Sequence, residues 1–154
     1  MARSAVVLVL LYPSLIAAAA DPVKPALDPT GMGGFWKPES VVYDGAEQFS
    51  DSAARQAITL VVKNGEYRVY FCKDKTKDLH VRLVTAELKA DAAAKTVELT
   101  IKDGDKKGLK CHGMYEVKDG KLRICYGPVD KPRPAGFAAP AGSGFFCEVW
   151  AAEK

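Results

Sequence analysis

The stretch ITLVVKNGEYRVYFC, residues 58–72, decides the fold that this sequence predicts. Asn64 and Gly65 form the dipeptide that most readily adopts the positive φ angles of a tight two-residue turn, and alternating apolar residues flank it on both sides. The pattern predicts a β-hairpin in which Lys63 faces Glu66. A lone hairpin is only marginally stable in water, so its apolar face needs further strands to cover it. That face carries Ile58, Leu60, Val62, Tyr67, Val69 and Phe71.

Further short strands are predicted on both sides of this hairpin. Residues 36–43, 80–88, 96–101 and 145–150 show apolar alternation, and residues 109–117 and 122–126 form a second hairpin around Asp119 and Gly120. In residues 80–88 the alternation places Val81, Leu83 and Thr85 on one side. Short strands at regular spacing are typical of an all-β barrel or sandwich. We predict an antiparallel up-and-down barrel of about seven or eight strands, because only residues 127–144 are long enough for a Greek-key crossing.

The first twenty residues read as a secretory signal peptide. Arg3 precedes an almost wholly apolar run, and three alanines before Asp21 suit a small-residue cleavage site. The alternative, a membrane anchor, is less favoured because the run is short for a bilayer span and has no strong stop-transfer flank. The sequence therefore predicts a signal peptide at 1–20, a linker at 21–33 and one domain at 34–154, secreted or periplasmic, with no stable membrane span after signal removal.

The charge of the chain is small and evenly distributed. The formal net charge of +3 falls to +2 after cleavage, because Arg3 is the only charged residue among the first twenty. Basic and acidic residues are interspersed rather than grouped, which indicates a solvated surface and argues against a nucleic-acid partner.

The four cysteines, all in the exported part, make disulfides plausible. Three pairings are open, and one or two disulfides fit the count. Cys111 is predicted on the Tyr115 face of the second hairpin and Cys125 on the other, which disfavours a bridge between them. Any bridge from Cys72 is expected outside the core. The spacing up to Cys147 contains no Cys-x-x-Cys, so no metal site is predicted.

The sequence offers no catalytic constellation. His80 and His112 are the only histidines, and His112 follows Cys111 on a predicted strand, where adjacent side chains point to opposite faces. We therefore predict a protein that is not an enzyme and needs no cofactor.

Two signatures carry a resemblance to known families. Residues 34–36, Gly-Phe-Trp, match the G-x-W that opens the first strand of lipocalin-like barrels. The run LTIKDGDKKGLKCHGMYEVKDGKLRICYG at 99–127, with KPRPAGF at 131–137 and PAGSG at 140–144, resembles a secreted domain family of uncharacterised function that is abundant in planctomycete bacteria. The resemblance covers nearly all of residues 33–151 and implies a lipocalin-like barrel. Pro38 in the first strand, and Cys72 and Cys147, depart from the family pattern.

The aromatic-rich inner face leaves two interpretations open. One is a filled core, which small barrels usually have. The other is an apolar ligand cavity at the barrel mouth with residues 127–144 as a lid. The predicted function is an exported non-enzymatic lipocalin-like binding module for a small hydrophobic ligand. The alternative is a cell-envelope protein-interaction or structural domain that uses residues 127–144. The cavity-lining candidates are Trp36, Leu60, Tyr67, Val69, Phe71, Tyr115, Ile124 and Tyr126.

Overall fold

The computed structural model describes residues 28–74 and 79–153, with the backbone alone given for residues 73–74 and 79–81. The predicted signal peptide and the first part of the predicted linker, residues 21–27, lie outside the described residues, as does the side chain of His80. The elements are β1 Gly34–Tyr43, β2 Ala46–Glu47, α1 Ser52–Ala57, β3 Ile58–Lys63, β4 Glu66–Asp74, β5 Leu79–Asp91, β6 Thr96–Ile101, β7 Lys110–Lys118, β8 Lys121–Tyr126 and β9 Phe146–Ala152.

Eight of these strands form a closed antiparallel barrel within the described residues. Each long strand pairs with the next one along the chain, and β9 closes the barrel by pairing with β1. The two-residue β2 extends only the edge of β1. The predicted all-β, lipocalin-like up-and-down barrel is therefore confirmed.

Both predicted hairpins have the predicted register. Asn64 and Gly65 have φ angles of 54° and 73°, and Asp119 and Gly120 have 51° and 72°. These positive angles are those of the tight turns that the two dipeptides favour. In the first hairpin Ile58 pairs with Phe71 at one end and Lys63 with Glu66 at the other. The turn residues thus fixed the pairing of each hairpin locally.

Three register shifts occur in the described strands, and two of them change which of the described side chains face inward. The first lies between Pro38 and Ser40 of β1, where Pro38 interrupts the strand. The second lies in β5, where Val69 of β4 pairs with Val84 while Tyr70 pairs with Arg82. The extra residue shifts the alternation of inward-facing and outward-facing side chains by one position. Val84 therefore faces inward, and Thr85 faces outward with Arg68. The predicted alternation through Val81, Leu83 and Thr85 is therefore wrong beyond the bulge, because Val84 faces inward and Thr85 does not.

One end of the barrel is closed by the residues that precede β1. Met32 is fully buried there, and its carbonyl oxygen accepts a hydrogen bond of 2.9 Å from Trp36 Nε1. The opposite end, where β1 and β8 end and β9 begins, is called the mouth below. Residues 44–57, with the six-residue α1 capped by Asp51, connect β1 to β3 at the mouth.

Candidate functional site

A charged residue lies inside the barrel just below the mouth. The alternation of β9 turns Phe146, Glu148 and Trp150 inward, and Glu148 pairs with Val41 on one side and Ile124 on the other. Only 6 % of Glu148 is exposed. A buried carboxylate is costly unless polar partners surround it, so its contacts decide what this position can do.

Three side chains donate hydrogen bonds to this carboxylate. Tyr67 Oη lies 2.5 Å from Glu148 Oε2, and Trp150 Nε1 lies 2.9 Å from the same oxygen. Tyr126 Oη lies 2.8 Å from the other oxygen, Oε1. We call these four residues the inner cluster. It places a hydrogen-bonded acidic group in an otherwise apolar barrel interior.

Burial governs the titration of the inner cluster. It raises the pKa of Glu148 above its ordinary value of 4.5, although the donated hydrogen bonds act in the opposite sense. Burial, together with the negative charge of Glu148, raises the pKa values of Tyr67 and Tyr126 well above their ordinary value of 10.0. The two phenols thus remain neutral donors across the physiological range.

A row of stacked aromatic rings lies at the mouth above the inner cluster. Phe146 stacks on Tyr43 with ring centroids 4.3 Å apart and on Tyr126 with centroids 5.3 Å apart. Gly113 makes room for this row, since a Cβ there would lie 2.8 Å from the Cβ of Tyr126. Tyr126 therefore connects the row to the carboxylate, through its ring on one side and its hydroxyl on the other.

Inward-facing apolar side chains remain exposed around the mouth. Tyr43 is 40 % exposed, and Val84, which shares the inward face with Val69, is 44 % exposed. Phe71 and Ile101, on the strands beside Val84, are partly buried against the core. Toward the closed end the inward-facing Leu88 and Ala90 are partly buried against the core. The most exposed large apolar side chains of the inner face therefore lie at the mouth.

All eight predicted cavity-lining residues lie on the inner face, but most of them fill the core. Trp36, Leu60, Tyr67, Val69, Tyr115 and Ile124 are buried against one another, whereas Phe71 and Tyr126 are partly buried. The structure brings Tyr67 and Tyr126 together at Glu148. Trp36 instead lies at the closed end, beside Met32.

Sequence reasoning missed Glu148, Tyr43, Phe146 and Val84 as site residues. A signal existed for Glu148, because a charge flanked by Phe146 and Trp150 on one face of an alternating strand is unusual for a solvated position. Val84 gave no such signal, since its direction depends on the bulge in β5.

The structure also describes three surface clefts, and none of the eight predicted residues lines them. The largest, of about 600 Å³, lies on the outer wall of β4, β5 and β6. A second, of about 530 Å³, lies at the closed end near Asn64. The third, of about 290 Å³, lies near His112. None of these three clefts lies at the mouth's aromatic row, and the cleft at the closed end is lined in part by the inward-facing side chains of Val62, Leu88 and Ala90.

Residues 127–144 are docked on the barrel rather than suspended over the mouth. Val129 packs against the core at the start of the segment. Farther along, Pro134 and Ala139 are buried, and the ring of Phe137 lies 4.5 Å from the Arg123 guanidinium. Arg123 faces outward, so the middle of the segment covers the outer wall of β8. Only the beginning of the segment is left to act as the predicted lid over the mouth.

One disulfide joins the two strands that this segment connects. Cys125 and Cys147 are directly paired across β8 and β9, with Cα atoms 4.1 Å apart. Cys72 and Cys111 are free thiols, so the alternative of two disulfides is wrong. Cys111 faces inward on β7 while Cys72 lies on β4, and these strands are not neighbours. The predicted incompatibility of Cys111 with Cys125 is confirmed.

Comparisons with known proteins give one likeness. No family model and no curated protein matches the chain. Among solved structures, it is similar to the crystal structure of a mutant of the fluorescent protein UnaG, with 14% sequence identity and a TM-score of 0.37, covering 80% of this chain and 96% of that chain. The barrel assignment therefore rests on the strand pairing described above. Within the described residues, no helix is long and apolar enough to cross a membrane.

Proposed function

We propose that this chain is an exported, non-enzymatic binding protein that holds a small ligand with an apolar body at the barrel mouth. The observation that carries the proposal is the exposure of Tyr43 and Val84, two large apolar side chains that face inward at the mouth of the barrel. Exposed apolar side chains that face the interior of a barrel are a feature of ligand-binding barrels.

The mouth combines two kinds of contact. The aromatic row of Tyr43, Phe146 and Tyr126 offers flat apolar surface. Directly below it, the Glu148 carboxylate and the Tyr126 hydroxyl offer polar contacts at the inner end of the site. A ligand with an apolar ring or chain and a hydrogen-bond donor at one end fits this arrangement.

Export is supported by two independent features. The first twenty residues have the pattern of a signal peptide, and a disulfide between Cys125 and Cys147 is favoured in oxidising compartments. We expect the secreted protein to begin at Asp21, which N-terminal sequencing of the mature protein would check. Membership of the secreted planctomycete-type family remains a prediction from the sequence.

The alternative function, an interaction domain that uses residues 127–144, has less support. Pro134 and Ala139 are buried against the barrel and Phe137 stacks on Arg123, so part of the segment's apolar surface is already covered. An envelope partner would have to bind the remaining exposed side of the segment.

Native mass spectrometry of the mature protein with a panel of fatty acids, aromatic acids and aromatic amines tests ligand binding. We expect a retained one-to-one species, weakened about tenfold by Tyr43→Ala because a large apolar contact is lost. Phe35→Ala is the matched control, since Phe35 is also on β1 and 58 % exposed but faces outward beside inward-facing Trp36. The proposal fails if no compound is retained, or if the two substitutions have the same effect.

A further inference from the structure

The 600 Å³ cleft on the outer wall is separate from the mouth and has a different chemistry. We call it the outer groove. Outward-facing side chains of β4, β5 and β6 form most of its lining, and Ile101 at the end of β6 and residues 102, 103, 107 and 108 complete it. It is therefore a concave surface with polar lining on the outer wall of the barrel, where most barrels are convex.

Basic groups outnumber acidic groups in the outer groove. Arg68, Arg82, Lys102 and Lys107 line it together with Glu66 and Asp103. Four cations and two carboxylates leave a local excess of positive charge, although the full sequence has a formal net charge of only +3. A concave surface with one sign of charge in excess concentrates ions of the opposite sign.

The two carboxylates hold the cations in position. Glu66 forms ion pairs with both Arg68 and Lys102, the latter with Oε1 and Nζ 2.6 Å apart. Asp103 Oδ2 lies 3.4 Å from the Arg82 guanidinium. These pairs order three of the four basic side chains around the outer groove before any ligand arrives, which lowers the entropy cost of binding.

Thr85 supplies the second, independent observation. This residue lines the outer groove and is only 6 % exposed, and its hydroxyl has no hydrogen-bond partner among the residues that the structure describes. The bulge in β5 turns it outward to the level of Arg68. Buried hydroxyls in folded proteins nearly always have partners, so one without a partner on the wall of a basic groove indicates a missing acceptor.

We propose that the outer groove binds a small oxyanion, of the phosphate or carboxylate class, which accepts a hydrogen bond from the Thr85 hydroxyl and lies among Arg82, Lys102 and Lys107. Among the described residues two buried hydroxyls lack a partner, those of Thr85 and of the inward-facing Tyr115, and the anion satisfies the one that lies at the outer groove. It also neutralises the excess positive charge. Guanidinium and ammonium groups bind both oxyanion types through charge-assisted hydrogen bonds. This site is independent of the ligand proposed for the mouth.

Titration of the mature protein with inorganic phosphate, and separately with acetate, tests this proposal by following backbone amide NMR shifts. We expect saturable shifts at Thr85 and at residues 102–108, weakened by added sodium chloride because the charges are partly exposed. The anion with the lower dissociation constant identifies the preferred class. The proposal is overturned if neither anion produces saturable shifts there.

Two variants and a matched control separate a specific site from general attraction. Thr85→Val, which removes the hydroxyl and keeps the shape, and Arg82→Gln should each weaken binding about tenfold, the scale of one hydrogen bond to a charged group. Arg123→Gln should leave binding unchanged, because Arg123 forms a similar 3.4 Å ion pair with Glu116 on another part of the wall. Equal losses from all three variants, or none from Thr85→Val, would contradict the proposal. Tyr43→Ala should not affect phosphate binding, which distinguishes this test from that of the mouth.

Discussion

The inner cluster and the outer groove lie on opposite sides of one strand, and they differ in how completely their polar groups are paired. Tyr67 faces inward and donates to Glu148, while the next residue, Arg68, faces outward and pairs with Glu66. The buried carboxylate has three donors, whereas the buried Thr85 hydroxyl has no partner in the described part of the chain. The inner cluster is therefore complete as a structural element, and the outer groove is complete only with a further group.

The largest expected effect tests the completeness of the inner cluster. Glu148→Ala should lower the free energy of unfolding by about 3 kcal/mol or more, because three buried donors lose their acceptor. Urea unfolding followed by tryptophan fluorescence measures it. Glu116→Ala, an exposed glutamate in an ion pair, is the control and should change stability by less than about 0.5 kcal/mol. A similar small loss for Glu148→Ala would mean that water replaces the carboxylate, so the cluster is not a structural element.

The disulfide and the free thiol Cys72 provide a second comparison, of their contributions to the free energy of unfolding. Replacing both Cys125 and Cys147 by alanine should cost about 3 kcal/mol, because the disulfide closes a 22-residue separation. Urea unfolding of this variant against the oxidised protein gives the value. The control is Cys72→Ala, a free thiol outside the core, which should have little effect. Loss of the native barrel signal in circular dichroism would instead show that the disulfide is needed to form the β8–β9 seam.

The raised pKa of Glu148 predicts that the contribution of the inner cluster to the free energy of unfolding depends on pH. Burial raises its pKa in the folded protein, so the native state favours the protonated carboxyl more than the unfolded chain does. The free energy of unfolding should therefore fall as the pH rises from about 4.5 through the raised pKa, by about 1.4 kcal/mol for each unit of the shift.

Urea unfolding of the wild type and Glu148→Gln between pH 4 and pH 9 isolates this contribution. The variant keeps a hydrogen-bond acceptor but cannot ionise, so the difference between the two proteins should change over this window. The hydrogen bond from Lys110 lowers the pKa of Glu98, which acts in the opposite sense in both proteins and cancels in the difference. A difference that is constant with pH would show that the pKa of Glu148 is not raised.

The smallest expected effect concerns the outer groove. Thr85→Val should leave stability unchanged or raise it by up to about 1 kcal/mol, because the lost hydroxyl has no partner in the fold. Thr59→Val is the matched control, since the outward-facing Thr59 hydroxyl accepts a 2.7 Å hydrogen bond from Lys37 Nζ. It should lose about 0.5–1 kcal/mol. Thermal unfolding of both variants gives the comparison, and a larger loss for Thr85→Val would show that its hydroxyl already has a partner.

Much of the fold was predictable because its signals are local. The Asn64–Gly65 and Asp119–Gly120 turns set the register of their hairpins, and alternation assigned the inward-facing apolar residues of β3 and β4. Neighbouring strands joined by short turns pair with each other, so the same signals predicted the up-and-down order. The eight candidate residues were consequently all placed on the correct face, although their packing against one another could not be read from alternation.

The sequence by itself thus determined the strands, the two hairpin registers, the inward faces of most strands and the exclusion of a Cys111–Cys125 bridge. Only the tertiary structure decided that Cys125 pairs with Cys147, that Glu148 meets Tyr67 from the distant strand β4, and that Thr85 faces outward. The physical reason is that these features depend on pairing between distant parts of the chain and on a bulge in β5. Short-range periodicity carries no information about either, and both candidate sites depend on them.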